Sequence, residues 1–151
     1  MNKDLTKHLI GLTGEYHVAG MMSLKGWVAS LTLKNYPFVD IFGLNPLTEQ
    51  TVNIQVKTTK NKSSYLIGLR HDQLSIIREK ITCPFVFVHI DKNDQIRYFI
   101  ICKEDFIKLI EETDSAYFNR IRLSPILENY PIAIEIKHLL DYENKWENIW
   151  K

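Results

Sequence analysis

The chain has 151 residues, 45% of them apolar and 25% charged, a balance that fits one globular domain with a sizeable core and excludes a disordered segment. A net charge of +1 excludes the global field of a polybasic nucleic-acid binder, so phosphate binding would have to come from local clustering. Two cysteines, Cys83 and Cys102, sit in apolar surroundings without CxxC spacing, which argues against a disulfide framework or a zinc site. The first residues form no secretory apolar stretch, and nowhere do 18 apolar residues run together, so the expected setting is cytoplasmic and away from membranes.

From Asp4 to about Leu24, the residues Leu5, Leu9, Leu12, Tyr16, Ala19 and Met22 or Ser23 recur in steps of three and four, which predicts a helix with that stripe inward. Gly11 and Gly14 each cost such a helix about 1 kcal/mol relative to Ala, so they mark either a break or a place where another backbone comes close. Glu15 lies on the flank of the stripe. Lys25-Gly26 supplies the stop, a cation in the last turn and a glycine beyond it.

Three strands are predicted next: Trp27 to Leu33, Phe38 to Leu44 and Thr51 to Thr58. Lys34-Asn35-Tyr36-Pro37 and Asn45-Pro46-Leu47-Thr48 turn the chain between them into an antiparallel meander. A basic, polar loop from Thr59 to Ser64 leads to Tyr65-Leu66-Ile67-Gly68-Leu69, which reads either as a strand or as an extended loop. Asp72 is placed to cap a helix through Ile81 with Leu74, Ile77 and Ile81 on one side.

Phe85 to Ile90 is the near-continuous apolar run of a strand covered on both faces, and it forms a hairpin with Ile96 to Cys102. A helix from about Glu104 to Glu112 follows. The stretch from Asp114 to Pro131 resists assignment, with Pro125 against a long helix. Ile132 to Ile136 reads as a last strand, and His138 to Trp150 as a terminal helix carrying Leu139, Tyr142, Trp146, Ile149 and Trp150 on one side.

Alternation of side chains along the third strand sends Val52, Ile54 and Val56 one way and Asn53, Gln55 and Lys57 the other. This polar row is what the wet face of a half-exposed strand looks like. Asp40 is harder to explain so simply, because it sits among Phe38, Val39, Ile41 and Phe42, where a carboxylate is costly to bury without a partner. Antiparallel pairing of the second and third strands sets it beside Gln55 and Lys57.

Helix, three strands, helix, strand, with Glu15 on the first helix, Pro37 and Asp40 at the second strand and Gln55-Val56-Lys57 on the third, resembles the PD-(D/E)XK nuclease superfamily from about Leu5 to Ile90. The resemblance implies an α/β domain of restriction-endonuclease type, a mixed central sheet flanked by helices, that hydrolyses phosphodiester bonds in DNA with Mg²⁺ or Mn²⁺. It implies catalytic roles for Glu15, Asp40, Gln55 and Lys57. Gln55 departs from the commoner Asp or Glu and removes one negative charge from the metal site. A catalytically silent domain of the same fold, binding nucleic acid or a protein, is the alternative reading.

The chemistry of these residues is coherent beside the resemblance. Mg²⁺ takes oxygen ligands and keeps several waters, so Asp40 with the Gln55 amide oxygen or the Val56 carbonyl, helped indirectly by Glu15, forms a sufficient set. Lys57 is placed to orient or deprotonate an attacking water. Lys25, Lys34, Lys60, Lys62 and Arg70 either line a groove for phosphates or form a scattered solvated surface. Tyr142, Trp146 and Trp150 are read as closing the core rather than stacking on bases. His89, in a buried strand, is read as a hydrogen-bonded core residue. Cutting both strands of a duplex would need two sites, which makes a homodimer plausible.

Overall fold

A computed structural model describes residues 3–33, 38–121 and 130–151, with the backbone alone described for 3–5 and 114–121. The turn 34–37, with Lys34 and Pro37, therefore lies outside the described residues, as do Pro125 and the side chain of Leu5. The architecture is α/β: a mixed five-stranded sheet flanked by helices, with a separate two-stranded sheet beside it.

Helix α1 (Lys3–Leu24) ends in a Schellman arrangement. The Trp27 N–H reaches back to the Met22 carbonyl at 3.1 Å and the Gly26 N–H to the Ser23 carbonyl at 3.0 Å, with Gly26 at φ +85°. The inward face of α1 keeps Ala19 and Met22 of the predicted stripe but turns away from Leu9 and Tyr16. Leu9 and Tyr16 are exposed, while Val18 and Met22 are fully buried, so the buried ridge runs Gly14, Val18, Met22. The physical reason is close approach. A Cβ on Gly14 would lie 1.8 Å from Thr58 Oγ1, so the helix rests on the sheet through a residue with no side chain, and Leu9 and Tyr16 are turned outward.

Strands β1 (Val28–Leu31), β2 (Ile41–Leu44) and β3 (Thr51–Lys60) form the predicted antiparallel meander, with Val28 opposite Leu44 and Ile41 opposite Ile54. Asn45 closes the second turn by accepting hydrogen bonds from the Leu47 and Thr48 N–H groups at 3.0 and 3.3 Å. β2 starts three residues later than predicted because Phe38 adopts φ +68°, which ends the extended run before Asp40.

The ambiguous piece after β3 is strand β4 (Ser64–Arg70). A 3-10 segment, His71–Ile76, and a single α turn, α2 (Ile77–Lys80), replace the regular helix predicted from Asp72. Asp72 is not the cap: the Arg70 N–H is satisfied by Gln73 Oε1 at 3.0 Å instead. Strand β5 (Phe85–Ile90) then runs parallel to β3, with Gln55 opposite Phe85 and Lys57 opposite Phe87, and pairs antiparallel with β6 (Ile96–Ile101). The central order is β1-β2-β3-β5-β6.

Helix α3 (Lys103–Ile121) extends well past the predicted Glu112, and β7 (Pro131–Glu135) pairs with β4 rather than joining the central sheet. The predicted terminal helix is instead three short 3-10 segments, Ile136–His138, Leu140–Tyr142 and Trp146–Trp150. Here β6 competes for the backbone. The Tyr98 carbonyl accepts from the Asn144 N–H at 2.9 Å, Phe99 bridges Glu143, and the Ile100 carbonyl accepts from Asn148 Nδ2 at 2.8 Å.

Two cores share the sheet as their common wall. One joins α1 to the sheet through Val18, Met22, Trp27, Ile41, Ile54, Val56 and Val86, with Trp146 and Ile149. The other joins β4, β7, α2 and α3 to β5 and β6 through Phe85, Phe87, Phe99 and Phe106. The second covers only part of its sheet face. Among the described residues nothing covers the side of β1, β2 and β3 opposite α1, and Val28, Ser30, Phe42, Thr51 and Asn53 are exposed there.

Candidate active site

The site lies where β2 parts from β3. The Asp40 N–H still donates to the Ile54 carbonyl at 2.9 Å, continuing the ladder, but the next bond is made by a side chain: the Val56 N–H donates to Asp40 Oδ2 at 2.7 Å. Asp40 thus takes the place of a neighbouring strand at the edge of β3. Among the described residues its Oδ1 accepts no hydrogen bond. The Val56 carbonyl faces the same edge as its N–H, as the strand pleat requires, while the Val56 side chain is buried against α1.

Three backbone interactions fix the carboxylate. The Thr32 N–H donates to the Asp40 carbonyl at 3.0 Å, Thr32 Oγ1 donates to the Val39 carbonyl at 2.6 Å, and the Cys83 thiol approaches the Phe38 carbonyl at 3.5 Å. The left-handed Phe38 costs on the order of 1–2 kcal/mol for a residue with a Cβ, strain held directly beside the acid.

Gln55 and Lys57 share the face opposite α1, both half-buried, at the boundary between its covered and open parts. The Gln55 N–H is bound to the Pro84 carbonyl at 3.1 Å, which anchors β3 to the start of β5. Among the described residues neither the Gln55 amide group nor Lys57 Nζ makes a hydrogen bond, and Lys57 has no direct ion pair. Burial pulls the Lys57 pKa below its ordinary value, against the pull of Asp40 first and Glu15 second. Burial likewise raises the Asp40 pKa, against the Val56 N–H and the Lys57 charge. Glu15, half-buried on α1 one residue from Gly14, is therefore within electrostatic reach of Lys57.

No protein-family model, curated protein or solved structure matches the chain. The site is read from its own chemistry. Among the described residues no group of three or more His, Cys, Asp or Glu side chains is placed to hold a metal ion, and this constellation offers two carboxylates, an amide and a backbone carbonyl.

The basic residues named as either a phosphate groove or a solvated surface have varied surroundings. Lys34 lies outside the described residues, Lys60 is paired with Asp94 at 2.7 Å, Lys25 sits over the Trp146 ring at 5.5 Å, and Lys62 is exposed in the β3–β4 turn. Arg70 is exposed at the end of β4. The aromatic residues divide: Trp146 is buried in the α1 core, Tyr142 packs on the other core, and Trp150 is partly exposed and stacked on Trp27 at 5.3 Å. His89 is only half-buried, with a buried Nδ1 that finds no partner among the described residues, rather than a hydrogen-bonded core residue. Both cysteines are free and buried, and burial pushes the Cys83 thiol up to about 11, which makes it inert. No described helix is long and apolar enough to cross a membrane.

Thr32 and Cys83 are the neighbours that residue types alone do not reveal. Each acts on backbone carbonyls flanking Asp40, and a Thr or a lone Cys carries no spacing rule that would mark it.

Proposed function

We propose that the chain is a metal-dependent nuclease of restriction-endonuclease-like fold, hydrolysing phosphodiester bonds in DNA. The observation that carries this reading is a half-buried lysine with no direct ion pair among the described residues, beside a carboxylate held at a strand edge with one oxygen that no described residue engages. Groups that only stabilise the fold are normally paired when buried. These two instead keep hydrogen-bonding capacity for something else, and perturbed titratable groups of this kind cluster at functional sites. The parallel placement of β3 and β5 after an antiparallel meander supports the same reading.

The donor set fits a hard divalent cation. Asp40 through Oδ1 would hold Mg²⁺ with the Gln55 amide oxygen or the Val56 carbonyl, and Glu15 would support it from α1. When bound, such an ion lowers the pKa of a coordinated water and offsets negative charge on the phosphate. Asp40 keeps its orientation through the Val56 N–H. Lys57, its ammonium already disfavoured by burial, accepts a proton from the attacking water, or in its charged form steadies the phosphate oxygens.

The test is a nuclease assay on plasmid, linear, single-stranded and branched DNA with Mg²⁺ or Mn²⁺. Asp40→Ala and Lys57→Ala are each expected to lose cleavage by about 100-fold or more with folding intact. Full activity in both variants removes the mechanism. A folded wild-type protein that neither cleaves nor binds either ion through Asp40 leaves the silent, binding-only domain as the reading, with Gln55 as the position where the metal site has decayed.

A further inference from the structure

The sheet face opposite α1 is covered by α3, β4 and β7 over β5 and β6 but, among the described residues, is open over β1 to β3. The pairing register places Phe42 opposite both Ser30 and Asn53, and Val28 opposite Leu44. Asn53 precedes Gln55 and Lys57 on the same face. Phe42 therefore stands two residues, about 7 Å of strand, from Asp40. Phe42 is 41% exposed, between the polar Ser30 and Asn53.

Resting on the nuclease reading above, we propose that this open face seats an unpaired DNA strand, with Phe42 stacking on the base next to the phosphate presented to Asp40 and Lys57. A single aromatic ring between polar neighbours suits a base whose face is free, and stacking of this kind is indifferent to sequence. Bases in a duplex keep their faces against each other and cannot use it. The spacing of Phe42 from Asp40 is comparable with that of a nucleobase from its neighbouring phosphate. Ser30, Thr51 and Asn53 offer neutral hydrogen-bonding groups to sugar and base edges.

On the face itself the described charged side chains are Lys57 and, at the strand edge, Asp40, the acid already assigned to the cation, so the ring and the neutral polar groups make the remaining contacts with the strand. A second copy of this chain suits the face less well. The polar row Thr51, Asn53, Gln55 separates Phe42 and Val28 from the covered half, whereas the centre of a homodimer interface is depleted in such groups.

Fluorescence anisotropy with a labelled single strand and the matching duplex, in EDTA so that cleavage is suppressed, tests the assignment. The wild type is expected to bind the single strand at least about 10-fold more tightly. Phe42→Ala should weaken that binding by about 5- to 100-fold, Phe42→Leu nearly as much, and Phe42→Trp little, while duplex binding stays unchanged. Circular dichroism of each variant checks the fold, and the exposed position of Phe42 favours its survival.

Equal affinity for duplex, or single-strand binding indifferent to Phe42→Ala, overturns the inference even if the protein cuts DNA. Single-strand binding that depends on the ring, in a protein that cleaves nothing with Mg²⁺ or Mn²⁺, upholds the inference and removes the nuclease reading. A stable dimer that Phe42→Ala dissociates assigns the face to a second copy and overturns the inference.

Discussion

Asp40 and Lys57 each occupy a place where burial disfavours the charged form, and the two signs of that effect can be separated by pH. Asp40, raised above its ordinary 3.8, binds its proton more tightly when folded. Its contribution to stability therefore falls as pH rises from 3.8 through the raised value and is unfavourable at neutral pH. Lys57, lowered from 10.5, releases its proton more readily when folded. Its contribution is unfavourable below the lowered pKa and is relieved as pH climbs towards 10.5. Asp40→Asn and Lys57→Met are thus expected to unfold at neutral pH at a temperature no lower than the wild type, since the Asn amide oxygen can still accept from the Val56 N–H. Both should lose activity by about 100-fold or more. Calorimetry beside the cleavage assay checks this, and a fall in melting temperature in both variants would assign the pair to fold stability. With Lys57 as the base, the rate should rise with pH through an inflection below 10.5, and Lys57→Arg, which does not deprotonate in this range, should abolish that limb. Asp40 was legible in the sequence because a carboxylate in an apolar run demands a partner. That the partner is the Val56 N–H was not, because backbone donors leave no trace in residue type.

The packing of α1 on β3 shows what an apolar pattern can and cannot say about an element. The helix and its stop were legible from Leu9, Leu12 and Ala19 and from Lys25-Gly26, yet the buried ridge begins at Gly14, which any hydropathy stripe scores as neutral. The same limit applies to the C-terminal stretch: the spacing of Leu139, Tyr142, Trp146 and Ile149 fits a helix, but the carbonyls of Tyr98 and Ile100 on β6 capture Asn144 and Asn148 and break it into 3-10 turns. Tertiary hydrogen bonds from an edge strand outweighed local periodicity there. The helix-to-strand contact is testable. Gly14→Ala places a Cβ 1.8 Å from Thr58 Oγ1, so α1 or β3 has to move. A loss of about 1–3 kcal/mol is expected, typical of overpacking, measured by urea denaturation. Thr58→Ala removes the hydroxyl and methyl but leaves Thr58 Cβ, 2.9 Å away, so the double variant should recover part of the loss. Simple additivity of the two losses would show that the helix does not rest on Thr58. Because Lys57 adjoins Thr58 and Glu15 adjoins Gly14, Gly14→Ala should also lower cleavage more than its stability loss explains.

At the level of the whole molecule, β5 contributes one face to each of the two cores. Phe85 and Phe87 project into the core of α3, β4 and β7, while Val86, Val88 and Ile90 project into the core of α1. This two-sided burial was legible from the unbroken apolar run Phe85 to Ile90. That β4 and β7 would build a sheet of their own was not, because both strands alternate like any half-exposed strand and nothing in that pattern names a partner. The tryptophans provide a one-sided probe. Trp27 and Trp146 are buried in the α1 core, and Trp150 stacks on Trp27, so all three report from the same side of the sheet. Phe87→Ala empties a fully buried aromatic site on the other side and is expected to cost about 3–5 kcal/mol. If the shared sheet couples the cores, tryptophan fluorescence and far-UV circular dichroism should shift to the same lower urea midpoint with an unchanged slope. A fluorescence midpoint that stays at the wild-type value while the dichroism midpoint falls would mean that the α1 core, with Asp40 and Lys57 at its strand edge, folds without the α3 side. The covered half of the sheet would then be an accessory to the candidate site rather than part of the unit that holds β3 straight beside Asp40.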